Sequence, residues 1–317
     1  MRSYRYLISL FILQFFCIGI ICGNGVWANE ADIQLQDAKT HYINGDFNDS
    51  FTEINEYLAL YPTNASAWNL NGLILMSNGT YSSAEVSFLK ALNSTPQDAR
   101  ILYNLGLVTF RRGNLSEADM YFNQSLLLDP VFPDTYFYQG LVQYGLAHYD
   151  KAVNLLQTVT TLRPEDPAAW FNLGMAYEKT RQYDRAVMAY DSAIEKDPSY
   201  SKPWFFKGRI YSSFGNASMA LTSFDKYVQL EPTDDVGWFW YSQSLKRTDH
   251  VNESIDALNK AISLNPTNQE YQRYLDVYSG KYTNTVAEYL FAAPSSSFLM
   301  TFFGLLIVLG LVAIIRK

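Results

Sequence analysis

The sequence predicts an all-α solenoid of seven 34-residue helix–turn–helix repeats, and three observations support this fold class. Seven of the eleven prolines are spaced by 34 residues, Gly and Ala recur in phase with them, and the intervening segments show helical periodicity without sustained alternation. Proline cannot continue a helix, so each one is expected to end a repeat. These prolines are Pro62, Pro96, Pro130, Pro164, Pro198, Pro232 and Pro266.

Three further columns repeat in phase with the prolines. Gly stands at 72, 106, 140, 174 and 208, Ala at 84, 118, 152, 186 and 220, and large aromatics at 68, 136, 170, 204 and 238. A small residue on each helix allows two helices to approach closely, and the aromatic is expected to fill the space between neighbouring pairs. Gly45, Gly79, Gly113 and Gly215 fall in the turn between paired helices, where a positive φ is expected after a helix.

The segment from Trp170 to Pro198 resembles the tetratricopeptide repeat (TPR), with its Trp, Leu-Gly, Tyr, Ala, aromatic, Ala and Pro positions in order. The resemblance implies a right-handed superhelical solenoid of seven repeats over residues 29–268, followed by a capping helix at 269–280. The first and last repeats depart from the pattern. Atypical end repeats are expected because an end has only one neighbour. The departures are Gln34, Ala38 and Ser50 in the first repeat and Ser242 and Ser254 in the last.

The amino terminus has the order of a secretory signal peptide over residues 1–28. Arg2 and Arg5 precede an apolar run, and cleavage is expected after Ala28. Two alternatives stay open, an uncleaved signal anchor and a lipoprotein signal at Cys22.

The carboxyl terminus predicts a membrane anchor. Residues 281–297 form a tether, residues 298–315 an apolar transmembrane helix of about 27 Å, and 316–317 a basic end that should stay in the cytoplasm. The repeats of this single-pass protein of the cell membrane are therefore expected on the extracytoplasmic side. The alternative is a surface-protein sorting signal, in which an enzyme replaces the segment with another anchor.

Composition excludes several functions. The only cysteines, Cys17 and Cys22, lie in the signal segment, and the net charge is −7, which argues against nucleic-acid binding. His41, His148 and His250 lie in separate repeats, and no catalytic, metal-binding or cofactor-binding motif occurs. We therefore expect no enzyme, no catalytic residue, no metal and no cofactor.

Eight Asn-X-Ser/Thr sequons are candidates for N-glycosylation, and most fall in the turns within repeats. The alternative is that Asn and Ser simply favour turns and helix caps. With glycans, the chain fits an envelope protein, by this reasoning an archaeal one. The sequons are Asn48, Asn64, Asn78, Asn93, Asn114, Asn123, Asn216 and Asn252.

The resemblance also implies a concave groove, lined by the first helix of each repeat, that accepts a peptide segment of an envelope or membrane-proximal protein. We therefore expect a membrane-tethered scaffold for protein–protein interactions, with basic residues favouring an acidic segment. The alternatives are a glycosylated structural or adhesion component that associates with itself, or an accessory subunit of a transfer enzyme. The Lys and Asn set that binds a carboxyl terminus in some relatives is absent. The predicted groove residues are Tyr103, Asn104, Phe137, Leu141, Phe171, Asn172, Met175, Phe205, Arg209, Phe239, Lys246 and Arg247.

Overall fold

The computed structural model describes residues 32–281, which are helical throughout apart from the connecting turns and contain no strand. The chain divides between Arg163 and Pro164 into two compact units, called unit 1 and unit 2 below. No helix among the described residues is long and apolar enough to cross a membrane. The predicted signal peptide (1–28), transmembrane segment (298–315) and basic end (316–317) lie outside the described residues, as does the tether after residue 281.

Unit 1 contains four helix pairs, and they follow the predicted period. Each predicted repeat contributes a helix of about thirteen residues and a second of fourteen, joined by a short turn. The helices are α1 (32–44), α2 (Phe47–Leu60), α3 (Ala65–Ser77), α4 (Tyr81–Ser94), α5 (Ala99–Arg111), α6 (Leu115–Leu128), α7 (Pro133–Gly145) and α8 (Tyr149–Leu162).

Unit 2 contains three helix pairs and one further helix, which coincides with the predicted capping segment. The helices are α9 (Pro167–Lys179), α10 (Tyr183–Lys196), α11 (Ser201–Ser213), α12 (Ala217–Leu230), α13 (Asp235–Arg247), α14 (Val251–Leu264) and α15 (Gln269–Tyr278).

The Gly column packs directly against a large side chain of the paired helix, as the sequence predicts. A Cβ built on Gly106 would lie 2.5 Å from the Phe122 ring, and one on Gly174 would lie 2.5 Å from the Tyr190 ring. Both rings are fully buried. Because a Cβ atom cannot approach so closely, the paired helices keep this spacing only with Gly at the column.

The turn inside each repeat is a Schellman motif, which needs one residue with positive φ after the first helix. The four predicted glycines have it, with Gly113 at φ 84°. The same column also holds Ala147, Arg181 and Asp249 at φ 60° to 65°, which the sequence did not predict. At Arg181, the backbone N–H donates to the Glu178 carbonyl oxygen at 3.0 Å, and the next N–H completes the motif.

The first helices begin in two different ways. Asp98, Asp166 and Asp234, like Asn64 and Asn268, accept hydrogen bonds from backbone N–H groups of the first turn. In the same column, Phe132 and Tyr200 precede α7 and α11 and make no side-chain cap. These two rings pack instead on the first helix of the preceding repeat, Phe132 on Tyr103 and Tyr200 on Phe171.

The aromatic column ties each first helix to the turn that precedes it. The indole N–H of Trp170 donates to the Pro164 carbonyl oxygen at 2.8 Å, and Trp68 and Trp238 make the same bond to Pro62 and Pro232. The Tyr136 hydroxyl donates to Pro130 at 3.0 Å. Trp204 is the exception, because its buried indole N–H has no hydrogen-bond partner.

Candidate protein-interaction site

The predicted groove residues lie on the first helices of the repeats, where one face recurs in each unit. Three residues at spacings of four and seven share a side of an α-helix. On α5 they are Tyr103, Leu107 and Phe110, and on α9 they are Phe171, Met175 and Glu178. The residues at these three positions are called the first-helix face below.

In unit 1 the first-helix face is largely apolar on α3, α5 and α7. Leu73, Met76, Phe110 and Leu141 are half-buried, and Leu107 is nearly buried. Helix α5 contacts both α3 and α7, so the faces of these three helices adjoin one another. Helices α3, α5 and α7 therefore present a row of partly exposed aliphatic and aromatic side chains without a charged group at the second and third positions, whereas α1 carries Lys39 at the second position.

Two of the predicted aromatic residues in unit 1 are partly covered by other rings. The Tyr103 ring is 4.9 Å from Phe132 and 6.0 Å from Phe122 between centroids, and burial raises the pKa of its hydroxyl above the ordinary value. Phe137 is half-buried and contacts Tyr138 edge-on. Tyr103 therefore contributes mainly to packing, while Phe137 and Leu141 keep exposed edges.

Asn104 and Asn172, predicted to hold a peptide backbone, both use their side-chain amides within the protein. The Asn104 amide donates to the Asn69 side-chain oxygen at 2.8 Å, and Asn104 is only 7% exposed. The Asn172 amide donates to the Ala168 carbonyl oxygen of its own helix at 2.7 Å. Their role in binding a partner stays a prediction, and it would require these hydrogen bonds to rearrange.

Two of the three predicted aromatic groove residues of unit 2 are buried. Phe171 is 5% exposed and packs on Tyr200 and Phe206, with centroids 5.3 and 5.4 Å away. Phe239 is 9% exposed and packs on Tyr271 at 4.9 Å. These two rings hold neighbouring helices together.

Phe205 and Met175 retain part of their surface. Phe205 is half-buried and lies 4.9 Å from the Tyr227 ring, and Met175 is half-buried on α9. They are the apolar residues of the unit 2 first-helix face that a partner could contact directly.

The three predicted basic residues, called the basic cluster below, lie on α11 and α13. Arg247 donates through one guanidinium nitrogen to the carbonyl and hydroxyl oxygens of Ser212, at 2.9 and 3.1 Å. Ser212 follows Arg209 by three residues on α11, so the Arg247 guanidinium lies about one helical turn from Arg209. Lys246 places its ammonium group 5.5 Å from the Tyr278 ring centroid.

Sequence reasoning missed three residues that shape this basic cluster. Glu178 lies 3.7 Å from the Arg209 guanidinium, Ser212 holds Arg247, and Tyr278 of the capping helix lies under Lys246. Glu178 and Ser212 occupy the third position of the first-helix face, so the 34-residue columns contained a signal for them. Among the described residues, no group of three His, Cys, Asp or Glu side chains could hold a metal ion.

Comparison with protein families gives two family models, both described as tetratricopeptide repeat. One matches residues 138–201 and again 174–235, and the other matches residues 99–132 and 237–268. This chain is a tetratricopeptide-repeat protein. TPR proteins generally bind peptides or other proteins and are generally not enzymes. A comparison with curated proteins gives no match.

Solved TPR structures share the fold. The structure of Pseudomonas aeruginosa pilF is 18% identical with a TM-score of 0.58, covering 67% of this chain and 95% of that one. A TPR protein from Parabacteroides merdae is 15% identical with a TM-score of 0.56, covering 79% and 99%. YrrB, described as a TPR protein with an unusual peptide-binding site, is 19% identical with a TM-score of 0.52, covering 62% and 98%. At these identities, the likeness concerns the fold alone.

Two of the eight sequon asparagines make hydrogen bonds to a side chain of a neighbouring helix. Asn64 caps α3 and donates to the Tyr57 hydroxyl at 2.9 Å, and Asn123 accepts a hydrogen bond from Gln139 while donating to the Asp119 carbonyl. A glycan on either amide would replace one of its N–H donors and crowd these contacts. The exposed asparagines are Asn48, Asn78, Asn93, Asn114, Asn123, Asn216 and Asn252, and Asn64 is half-buried.

Proposed function

We propose that this TPR protein is a membrane-tethered scaffold whose repeats lie outside the cytoplasm and hold a segment of another protein. The observation that carries the proposal is that each unit has half-buried apolar side chains on its first helices. These side chains are neither fully packed nor fully solvated, which suits a surface that a partner segment covers. They include Leu73, Met76, Phe110 and Leu141 in unit 1 and Met175 and Phe205 in unit 2.

The location outside the cytoplasm rests on the sequence. The signal-peptide order at residues 1–28 and the apolar run at 298–315 with its basic end both support it. A membrane tether over residues 281–297 would restrict the partners of the repeats to membrane-proximal proteins. Because the family is generally not enzymatic, we propose that the chain acts by binding and not by catalysis.

Photo-crosslinking in intact cells tests the scaffold proposal. A photoreactive amino acid at Leu141 or Met175 is expected to capture one recurrent envelope protein, identified by mass spectrometry after solubilisation. The matched controls are Met120 and Met188, which are 46% and 68% exposed on the second helices α6 and α10. Equal capture from both helix faces would contradict the proposal.

Fractionation and proteolysis test the location. The chain should stay with the membrane after alkaline extraction, and protease added outside intact cells should degrade the repeats. Recovery of the protein from the soluble cytoplasm, protected from external protease, would refute the tether and the topology.

A glycosylated structural component is the second candidate, favoured by the seven exposed sequon asparagines. Its expected signs are glycopeptides at those asparagines and crosslinks only between copies of the chain. Finding both would replace the scaffold proposal.

A further inference from the structure

The first-helix face differs in chemistry between the two units. At the second and third positions, where α3, α5 and α7 of unit 1 carry Leu, Met, Phe or Tyr, unit 2 carries Glu178, Arg209, Ser212, Gln243 and Lys246. The protein as a whole is acidic, with net charge −7, so a cluster of cations on one set of helices does not follow from composition.

Positive charge in unit 2 is concentrated on the first helices. Their cations outnumber their two carboxylates, and one of these, Asp235, already accepts hydrogen bonds from the Tyr271 hydroxyl and the Asn265 amide. The second helices α10, α12 and α14 show the opposite balance, with acidic residues in excess. The cations of the first helices are Lys179, Lys202, Lys207, Arg209, Lys246 and Arg247.

Among the described residues, Arg209, Lys246 and Arg247 donate no hydrogen bond to a carboxylate. Within the described residues, no carboxylate lies within 4 Å of Lys246 or Arg247, and Arg209 has only Glu178 at 3.7 Å, beyond hydrogen-bond distance. Lys207, by contrast, is already paired with Asp191. Arg209, Lys246 and Arg247 therefore remain available for an external anion.

The Arg247 guanidinium is held in place before any partner arrives. One of its nitrogens donates both hydrogen bonds to Ser212, which leaves its other N–H groups directed elsewhere. A guanidinium fixed in this way can pair with a carboxylate through two parallel bonds at a low cost in side-chain entropy. Arg209 is 41% exposed on the neighbouring helix and can reach a second carboxylate.

Resting on the proposed scaffold function, we propose that the unit 2 first-helix face binds an acidic polypeptide segment of a partner protein. Arg209, Lys246 and Arg247 pair with its Asp or Glu side chains, and Met175 and Phe205 contact its apolar residues. A basic or neutral segment gains none of these ion pairs, so the cluster selects partners by charge.

Peptide binding to the full chain in detergent micelles tests this selection. The probes are a short peptide in which Glu alternates with Leu and Ala, and its Gln counterpart, each with a neutral fluorophore read by anisotropy. The Glu peptide should bind about tenfold more tightly than the Gln peptide at low ionic strength, because charge-assisted hydrogen bonds are the stronger kind. Added salt should reduce the difference.

Matched variants locate the effect. Arg209→Gln with Arg247→Gln should abolish the preference for the Glu peptide. Lys226→Gln with Lys260→Gln removes the same charge from exposed positions on α12 and α14 and should retain it. Arg209→Gln with Lys246→Gln leaves the Arg247–Ser212 bonds intact, so its loss of preference cannot be attributed to a disturbed helix contact.

Several outcomes would overturn the inference. Equal affinity for the two peptides removes the charge selection, and an equal loss in the Lys226/Lys260 control assigns it to net charge. Self-association that depends on Arg209 and Arg247 would identify the occupant as a second copy. The scaffold proposal is tested separately, since crosslinks from Met175 to a partner can persist while the Glu and Gln peptides bind equally.

Discussion

The end repeats and the interior repeats fill the same helix contact in different ways. Interior repeats place Gly against a large side chain, as in Gly106 against Phe122, which is fully buried. At the corresponding positions the first repeat has Ala38 and Ile54, and the last has Ser242 and Leu258, all of them buried. Volume lost on one helix is regained on the other, so the contact stays filled in both arrangements.

The end repeats share a second difference. Both replace the Ala of the second helix by a buried Ser that donates to the backbone of the first helix. The Ser50 hydroxyl donates to the Ala38 carbonyl at 2.7 Å, and the Ser254 hydroxyl donates to the Ser242 carbonyl at 2.9 Å. The residues that depart from the repeat pattern therefore change together, as one alternative packing solution.

The largest expected effect on stability comes from removing a buried aromatic ring in an interior repeat. Phe122→Ala should destabilise unit 1 by about 3–5 kcal/mol, because it removes a fully buried aromatic and leaves a cavity against Gly106. Urea unfolding followed by circular dichroism measures the change. Leu127→Ala, at a residue 83% exposed on the same helix, is the control and should change stability by less than about 0.5 kcal/mol. Similar losses in the two variants would refute the assignment of Phe122 to the core.

Introducing the residue pair of the first repeat into an interior repeat tests the comparison directly. Gly106→Ala alone should cost about 1–3 kcal/mol, because its Cβ overlaps the Phe122 ring and overpacking exceeds the gain in helix propensity. Combining it with Phe122→Ile recreates the Ala38–Ile54 pair and should recover part of the loss. A double-mutant cycle gives the coupling energy. Strict additivity would show that the two positions do not share one contact.

The buried hydroxyl of the last repeat should contribute less. Ser254→Ala removes the bond to the Ser242 carbonyl and should cost about 0.5–1.5 kcal/mol. Hydrogen exchange of the α13 and α14 amides measures the local effect. Ala220→Ser in the interior is the reciprocal change, and a gain there equal to the loss at Ser254 would mean that the end repeat is not distinctive.

Substitutions at the residue with positive φ in the turn should have the same effect on stability in interior and end repeats. Arg181→Gly and Asp249→Gly should each stabilise the chain by about 0.5–1 kcal/mol, because Gly adopts positive φ without the penalty of a Cβ. Gly113→Ala should have the opposite sign. Thermal melting of the three variants is the measurement, and stabilisation by Gly113→Ala would contradict the role of positive φ.

The smallest expected effect depends on pH. The Ser199 hydroxyl and backbone N–H donate to Asp197, and these bonds hold the pKa of its carboxyl below the ordinary value. The stabilisation is therefore complete above the unfolded pKa of about 3.9 and is lost as the pH falls through the folded value. Asp197→Asn should remove this part of the dependence of stability on pH. The last repeat already has an asparagine, Asn265, at the same position.

Unfolding midpoints in urea at neutral and acidic pH compare the two proteins. Ser199→Ala removes one of the donors and should give an intermediate dependence. Identical pH profiles for the wild type and Asp197→Asn would refute the contribution.

The 34-residue period predicted the helix pairs, because the proline and small-residue columns impose the same local constraints in every repeat. It did not predict which groove rings are covered. Tyr103 is covered by Phe132 and Phe171 by Tyr200, and both covering residues stand where Asp or Asn caps other helices. A ring at a cap position contradicts the usual capping preference, so only packing between repeats reveals its use.

The turn column shows a similar limit. In the sequence, Gly45, Gly79, Gly113 and Gly215 indicate positive φ. Ala147 and Arg181 also adopt a positive φ, but only because the flanking helices impose the turn. The basic cluster was partly predictable, since Arg209, Lys246 and Arg247 are visible in the sequence. The bond from Arg247 to Ser212 depends on how α11 and α13 pack, and residue spacing alone does not give it.

The hydrogen bonds from the aromatic column to the proline carbonyls make each repeat boundary observable by spectroscopy. The indole protons of Trp68, Trp170 and Trp238 should appear as separate NMR resonances shifted downfield by their carbonyl acceptors, with Trp204 upfield because its N–H has no acceptor. During gradual denaturation, each signal reports the opening of its own turn. The order in which they vanish would therefore show where disassembly of the repeats begins.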